Sequence, residues 1–169
     1  ICECFFFLSL VSLAQSPTKI ILDADIDSDV DDVGALAMLH TFADHQVVEI
    51  LGVVVTSDDL HAPSCTDAIN HYFGRPQIPL GVEKGIELRE FSKYTRAISG
   101  KFAHDLDAYD KAEDATALYR RLLSAQPDSS VVIISIGHLT NVRKLLESKP
   151  DKYSDLSGRE LIQKKVKLW

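Results

Sequence analysis

Cysteine is scarce in this 169-residue chain, with Cys2, Cys4 and Cys65 the whole complement. Two of these fall in the first apolar stretch, which leaves Cys65 alone in the remainder and rules out an internal disulfide framework there. Set beside Thr66 and Asp67, Cys65 reads as a small core-facing residue rather than a nucleophile. No Cys/His spacing suits a zinc ion, and no Gly-rich turn suits a phosphate. Internal repeats and low-complexity stretches are missing. Basic residues are outnumbered, 18 Lys and Arg against 25 Asp and Glu, for a net charge of −7. Phosphate binding wants a clustered basic surface, so that balance argues against a nucleic-acid partner. Lys164, Lys165 and Lys167 gather near the end, but they read as a solvated helix face. Long hydrophobic runs are lacking too. The stretch Phe5–Ala14 falls short of the about 20 apolar residues that a membrane-spanning helix needs.

What is present is ordinary globular composition, 46% hydrophobic and 25% charged residues, of a length suited to one domain. In the apolar opening, Ser12 and Ala14 flank Leu13 in the manner of a signal-peptidase site before Gln15. Residues 1–14 are therefore expected to be a signal-peptide remnant, residues 15–169 the folded part, and the protein secreted or periplasmic, with no membrane contact after signal removal.

From Lys19 on, strand-like and helix-like stretches alternate. Lys19–Asp23 is a short apolar run ending in acids, as a buried parallel strand does. Val33, Leu36, Ala37, Leu39 and Phe42 recur at helical spacing across Asp31–Phe42. Val47–Thr56 is a β-branched run, 63–73 a helix stopped by Gly74-Arg75-Pro76, and Pro79–Val82 a third strand. Residues 83–112 are polar and aperiodic, and read as a surface excursion with one helix over Tyr94–Phe102. Ala112–Ala125 is amphipathic. Val131–Ile136 is the strongest strand, followed by helices at Thr140–Glu147 and Gly158–Lys165 and a strand beginning at Val166–Trp169. This rhythm predicts an α/β fold with a mostly parallel sheet covered by helices on both faces. Ligands in such sheets bind beyond the carboxyl ends of the strands, which singles out Asp23–Asp32, Thr56–His61 and Gly137–Asn141.

The first of these segments holds six carboxylates in ten residues: Asp23, Asp25, Asp27, Asp29, Asp31 and Asp32. Such like charge repels itself unless it stays solvated or meets a cation, and oxygen ligands without nitrogen or sulfur suit Ca²⁺ or Mg²⁺. The plainer reading is a solvated loop whose Asp31 and Asp32 favour the N-terminus of the next helix. A helix–loop–helix calcium loop counted from Asp23 fails, because Ser28 and Gly34 stand where Gly and Glu are required. A haloacid-dehalogenase-like phosphatase pattern fits better, with Asp23 as nucleophile, Asp25 as acid/base, Mg²⁺ between them, and Ser57 or Ser135 as a second hydroxyl. Asp27 departs from it, standing where that family usually has Thr or Val.

A third reading accounts for more residues. Ile21-Leu22-Asp23-Ala24-Asp25 followed by Asp31-Asp32 resembles the N-terminal signature of inosine–uridine-preferring nucleoside hydrolases. Ser135-Ile136-Gly137-His138-Leu139-Thr140-Asn141 resembles the family's Gly-Pro-Leu-Thr-Asn landmark, and Leu51–Thr56 falls in order between the two. Ala24 departs from the usual Thr, Asp27 from a Gly, and His138 from a Pro. Asp58 or Asp59 stands where many members carry a sugar-contacting Asn.

The resemblance implies a nucleoside hydrolase-type, Rossmann-like fold and calcium-dependent cleavage of an N-ribosidic bond, giving ribose and free base. It implies that Asp25, Asp32 and the Ile136 carbonyl ligate one Ca²⁺, and that Asp25 is the general base. Asp31 and Asp59 are then expected at the sugar and Asp23 behind the site. The partner is a small nucleoside or other N-riboside, and a homo-oligomer stays open. Family members are considerably longer and draw a further Asp ligand from their later half, so the expectation is that this chain by itself is inactive, its sheet incomplete at the C-terminus. The alternatives are a Mg²⁺-dependent phosphohydrolase and a non-catalytic secreted calcium-binding module.

Overall fold

A computed structural model describes residues 16–169; the signal-peptide reading of residues 1–14 lies outside the described residues. Six strands form one all-parallel sheet in the order β4-β3-β2-β1-β5-β6. They are β1 (Thr18–Ala24), β2 (Val48–Val55), β3 (Leu80–Val82), β4 (Glu113–Asp114), β5 (Val131–Ser135) and β6 (Val166–Leu168). The helices are α1 (Asp31–Asp44), α2 (Ala62–Tyr72), α3 (Thr95–Lys101), α4 (Ala115–Ser124), α5 (Thr140–Glu147) and α6 (Gly158–Lys165). The predicted α/β class and the parallel sheet are what the chain adopts.

Period-two alternation along β1 assigns the helices to their faces. Ile20, Leu22 and Ala24 meet Leu36 and Leu39 of α1 and Ile69 of α2. Ile21 faces the other way, into Leu118, Tyr119 and Leu122 of α4, Leu145 of α5 and Leu161 of α6. Burying one such leucine side chain contributes roughly 1.5–3 kcal/mol. Close approach of α4 depends on Gly52 in β2, where a Cβ would lie 2.6 Å from Leu122 Cδ1. Asp23 falls on the α4/α5 face because it is two residues beyond Ile21.

One element departs from expectation. The stretch Ala112–Ala125 is not all helix: Glu113 and Asp114 pair with Gly81 and Val82 as β4. The Asp114 carboxylate then caps α4 by accepting from Ala117 N at 2.9 Å. A two-residue strand is too short to leave a period in the sequence, and its partner strand decides it.

Strand order reverses beside β1: the chain steps outward through β2, β3 and β4, then returns to place β5 on β1's other edge. The carboxyl ends of β1 and β5 therefore border a crevice at the topological switch point, the position where open parallel sheets bind ligands. Asp23 and Ser135 lie in register there.

Candidate active site

A cleft of about 960 Å³ opens at this edge, lined by Asp25, Thr56, Asp58, Glu83, Arg89 and His138 among others. That is a volume suited to a small organic ligand. Its floor is the β1–α1 turn. Ile26 there has φ +30°, a left-handed conformation that costs a β-branched residue energy and is held by its surroundings. The Ile26 side chain is fully buried, and its N–H donates to Asp32 Oδ2 at 3.1 Å. The first turn of α1 thus reaches back to clamp the loop.

Asp32 is 2% exposed, and its Oδ1 makes no hydrogen bond with any described residue. Its other neighbour is the carboxyl of Asp25. Burial first, then contact with Asp25, push the Asp32 carboxyl up to about 7. Two carboxyls pressed together with one oxygen unpartnered is an arrangement that a hard cation relieves.

The β5–α5 turn completes the floor. Ile136 N donates to the Asp23 carbonyl at 2.9 Å, extending the parallel ladder by one residue. In such a ladder a residue's N–H and C=O leave on the same edge, so the Ile136 carbonyl is set on the side of Asp25. Gly137 is pressed against Asp25: an added Cβ would lie 2.7 Å from Asp25 N and 3.0 Å from Ala24 C. No side chain fits between those backbones. His138, 74% exposed, brings Nε2 to 3.8 Å from Asp25 Oδ2.

Behind the floor, Asp23 is fully buried and ties together parts of the chain that are distant in sequence. It accepts from Thr56 Oγ1, from Tyr119 Oη at 2.9 Å and from Asn141 Nδ2 at 3.3 Å. Asn141 Nδ2 also lies 3.0 Å from Thr56 Oγ1. Burial pushes the Asp23 carboxyl up to about 6 although all three donors pull the other way. Enclosed and fully bonded, Asp23 is not presented to the cleft as a nucleophile.

Two expected sugar contacts sit elsewhere. Asp59 is fully buried, and its carboxylate accepts from Thr95 Oγ1 at 2.7 Å and from the N–H groups of His61, Phe91 and Ser92 at 3.0–3.1 Å. Burial raises this carboxyl, but the four donors outweigh it and hold the group below the ordinary carboxylate range. Asp59 anchors the excursion at 89–95 to the end of β2, with no oxygen left facing the cleft. Its neighbour Asp58 lines the cleft instead, in an ion pair with Arg89. Asp31 opens α1 on the surface, where its carboxyl shares a hydrogen bond with Asp29 that raises Asp29. Successive helical residues point about 100° apart, so Asp32 faces inward and Asp31 does not.

Several contributors lay in the stretch read as a polar excursion. Glu83, just past β3, accepts from Thr140 Oγ1 at 2.9 Å and pairs with Lys144 at 2.8 Å, fastening α5 to the cleft wall. Tyr109 Oη donates to the Ser57 carbonyl at 2.9 Å. Asn141 closes the strand-end segment Gly137–Asn141; Tyr119 carries no signal in an amphipathic helix beyond its position one residue after Leu118. Cys65 is fully buried, and burial pushes its thiol up to about 12, so it is inert packing.

Asp25 and Asp32 offer oxygen ligands of the kind a hard cation takes, and the orphaned Asp32 Oδ1 suits one, while of Asp25, Asp32 and Ile136 only Asp25 lines the cleft itself. Together they make a partial shell, since Ca²⁺ takes about six to eight oxygens. Among the described residues no group of three or more His, Cys, Asp or Glu side chains is placed to share an ion. Fold and cleft together define an α/β domain with a carboxylate-floored crevice at its switch point. No protein-family model matches the chain, and no curated protein is significantly similar to it.

Proposed function

We propose that the crevice binds Ca²⁺ and the ribose of an N-riboside, and that its chemistry is hydrolysis of the N-glycosidic bond. The observation that carries this is the Asp25–Asp32 carboxyl pair at the β1 end, locked against Gly137 and left with an unpartnered buried oxygen. The resemblance of Asp23–Asp32 and Ser135–Asn141 to nucleoside hydrolase landmarks supports the same assignment.

Asp25, Asp32 and the Ile136 carbonyl would hold the ion. Bound there, Ca²⁺ would supply Lewis-acid chemistry that makes a water easier to deprotonate. Asp25, the floor carboxylate exposed to the cleft, accepts the proton of the attacking water. The C1′–N bond breaks with its electron pair on the leaving nitrogen, and the water oxygen forms the new bond to C1′. Positive charge that develops on the sugar ring is met by the carboxylates of the floor. Asp23 holds β1, β2, α4 and α5 in register beneath them and stays out of the chemistry. The phosphohydrolase reading would need Asp23 to attack, and its burial beneath three donors disfavours that.

Calcium and ribose titrations of the full chain test the proposal. Calcium is expected to raise the thermal midpoint of the wild type, this gain is expected to vanish in Asp25→Asn, and ribose should bind when calcium is present. Calcium affinity unchanged in Asp25→Asn, or phosphate release from an aryl phosphate, would refute it. Calcium binding with no ribose binding would leave the calcium-binding module as the better account.

A further inference from the structure

Helix α1 packs one side against β1, β2 and α2, and among the described residues nothing covers the opposite side. On that outer face stand Asp31, Gly34, Met38, Thr41, Phe42 and His45, all exposed, as a turn of 100° per residue requires. A solvent-facing helix surface ordinarily carries charge, yet from Val33 to Ala43 the chain has no Asp, Glu, Lys or Arg. Met38 is 59% exposed and Phe42 41%. Thr41 adds its methyl group to this apolar strip, because its hydroxyl donates back to the Ala37 carbonyl at 3.0 Å. Gly34 leaves a hollow: no described atom outside the helix lies within 4 Å of where its Cβ would stand. Asp44, in the last turn, is drawn off this face by its ion pair with Arg75.

The spacing of these features is complementary to itself. Gly34 and Phe42 lie four residues to either side of Met38, and Asp31 and His45 lie seven. We propose that the outer face of α1 is an isologous interface, on which a second copy of this chain docks its own α1 antiparallel with Met38 at the two-fold axis. Phe42 of each copy then enters the hollow at the partner's Gly34. Asp31, in the acidic first turn, meets the partner's His45 at the opposite helix end, where an imidazole N–H donates to the carboxylate. Burial of Met38 and Phe42 from both copies supplies the driving force. A helix of 14 residues is about 21 Å long, so one such pair lies at the low end of interface sizes, under about 1,200 Å², and a Kd of roughly 10 μM is expected.

Sedimentation velocity of the full chain, from about 1 to about 200 μM, measures the association, and the wild type is expected to pass from monomer to dimer across that range. Met38→Arg sets two like charges against each other at the axis, and Gly34→Leu fills the hollow that Phe42 needs. Each is expected to weaken the dimer by more than about tenfold. Both positions face solvent in the single chain, so the thermal midpoint of the dilute, monomeric protein should not fall in either variant. Asp31→Lys and His45→Glu are each expected to weaken the dimer, and the two together to restore it, which an antiparallel register does and a parallel one does not. A wild type that stays monomeric at about 200 μM, a dimer that survives Met38→Arg, or a double variant no tighter than the single ones overturns the proposal. A face covered instead by another segment of the protein would show as a monomeric wild type that Met38→Arg destabilises, which overturns it equally.

Discussion

Replacing Asp32 by Asn probes the floor of the cleft most directly. Asn keeps the shape, and its carbonyl still accepts from Ile26 N, now at 3.1 Å from Asp32 Oδ2. Its amide can donate to Asp25, so a repulsive pair becomes a hydrogen-bonded one. In the wild type the carboxyl is raised from 3.8 to about 7 by burial and then by Asp25. An acid with a raised folded-state pKa keeps its proton in the native state after the unfolded state has lost it. Stability therefore falls as pH rises from about 4 to about 7 and stays reduced above that. At about 1.4 kcal/mol per pH unit, the native state carries roughly 2–4 kcal/mol of penalty at pH 8 in the absence of calcium. Asp32→Asn removes it. For a domain of this size that is a rise in thermal midpoint of roughly 5–15 °C at pH 8, shrinking toward nothing near pH 4. Calcium at a hundred times its Kd would return about 2.7 kcal/mol to the wild type and little to the variant. Thermal denaturation at pH 4, 6 and 8, in chelator and in calcium, measures both effects. The reasoning fails if the variant is less stable than wild type at pH 8 in chelator, or if calcium stabilises the two equally.

Gly137→Ala is expected to cost about 1–3 kcal/mol, because a Cβ 2.7 Å from Asp25 N forces the two turns apart. Calcium titration should show the ion site weakened together with the fold. Tyr119→Phe removes the 2.9 Å donor to Asp23, whose carboxyl stands at about 6. Loss of that donor lifts the carboxyl further, so the destabilisation, about 1–2 kcal/mol, should be largest above pH 7 and smaller at pH 5 in urea unfolding. Arg120, 2% exposed, pairs with Asp151 at 2.9 Å and donates to Ser148 Oγ and the carbonyls of Ser154 and Leu156. Arg120→Ala is expected to cost roughly 3–5 kcal/mol and to open residues 149–156 to limited proteolysis, leaving several groups unpaired at once.

The fold was largely legible in the sequence because its signals are local. The apolar run before Asp23 and the β-branched run at 131–136 each carry their own period and formed within a residue of their expected bounds, while the amphipathic stretch expected over 112–125 formed a helix only from Ala115, its start given over to β4. The location of the cleft followed from the alternation of strands and helices. Less legible was the wall opposite. Glu83, Arg89, Phe91 and Tyr109 sit in aperiodic sequence and are placed by contacts distant along the chain: Arg89 by a parallel bridge to Asp59, Phe91 by its N–H donating to Asp59, Glu83 by Thr140 and Tyr109 by the Ser57 carbonyl.

Local pattern alone settled that this chain builds a parallel α/β sheet and ends its first strand in a row of carboxylates. Which of those carboxylates meets the cleft was a tertiary decision. Asp23 is held by Thr56, Tyr119 and Asn141, which lie 33, 96 and 118 residues away. Asp59 is held by Thr95, 36 residues away. A carboxylate's charge state and direction depend on the donors and the burial around it, and in a parallel sheet these arrive from strands and helices far along the chain. Asp25 and Asp32 are neighbours to the same turn, yet they meet as a pair because α1 folds back over Ile26 and Gly137 permits the approach of β5.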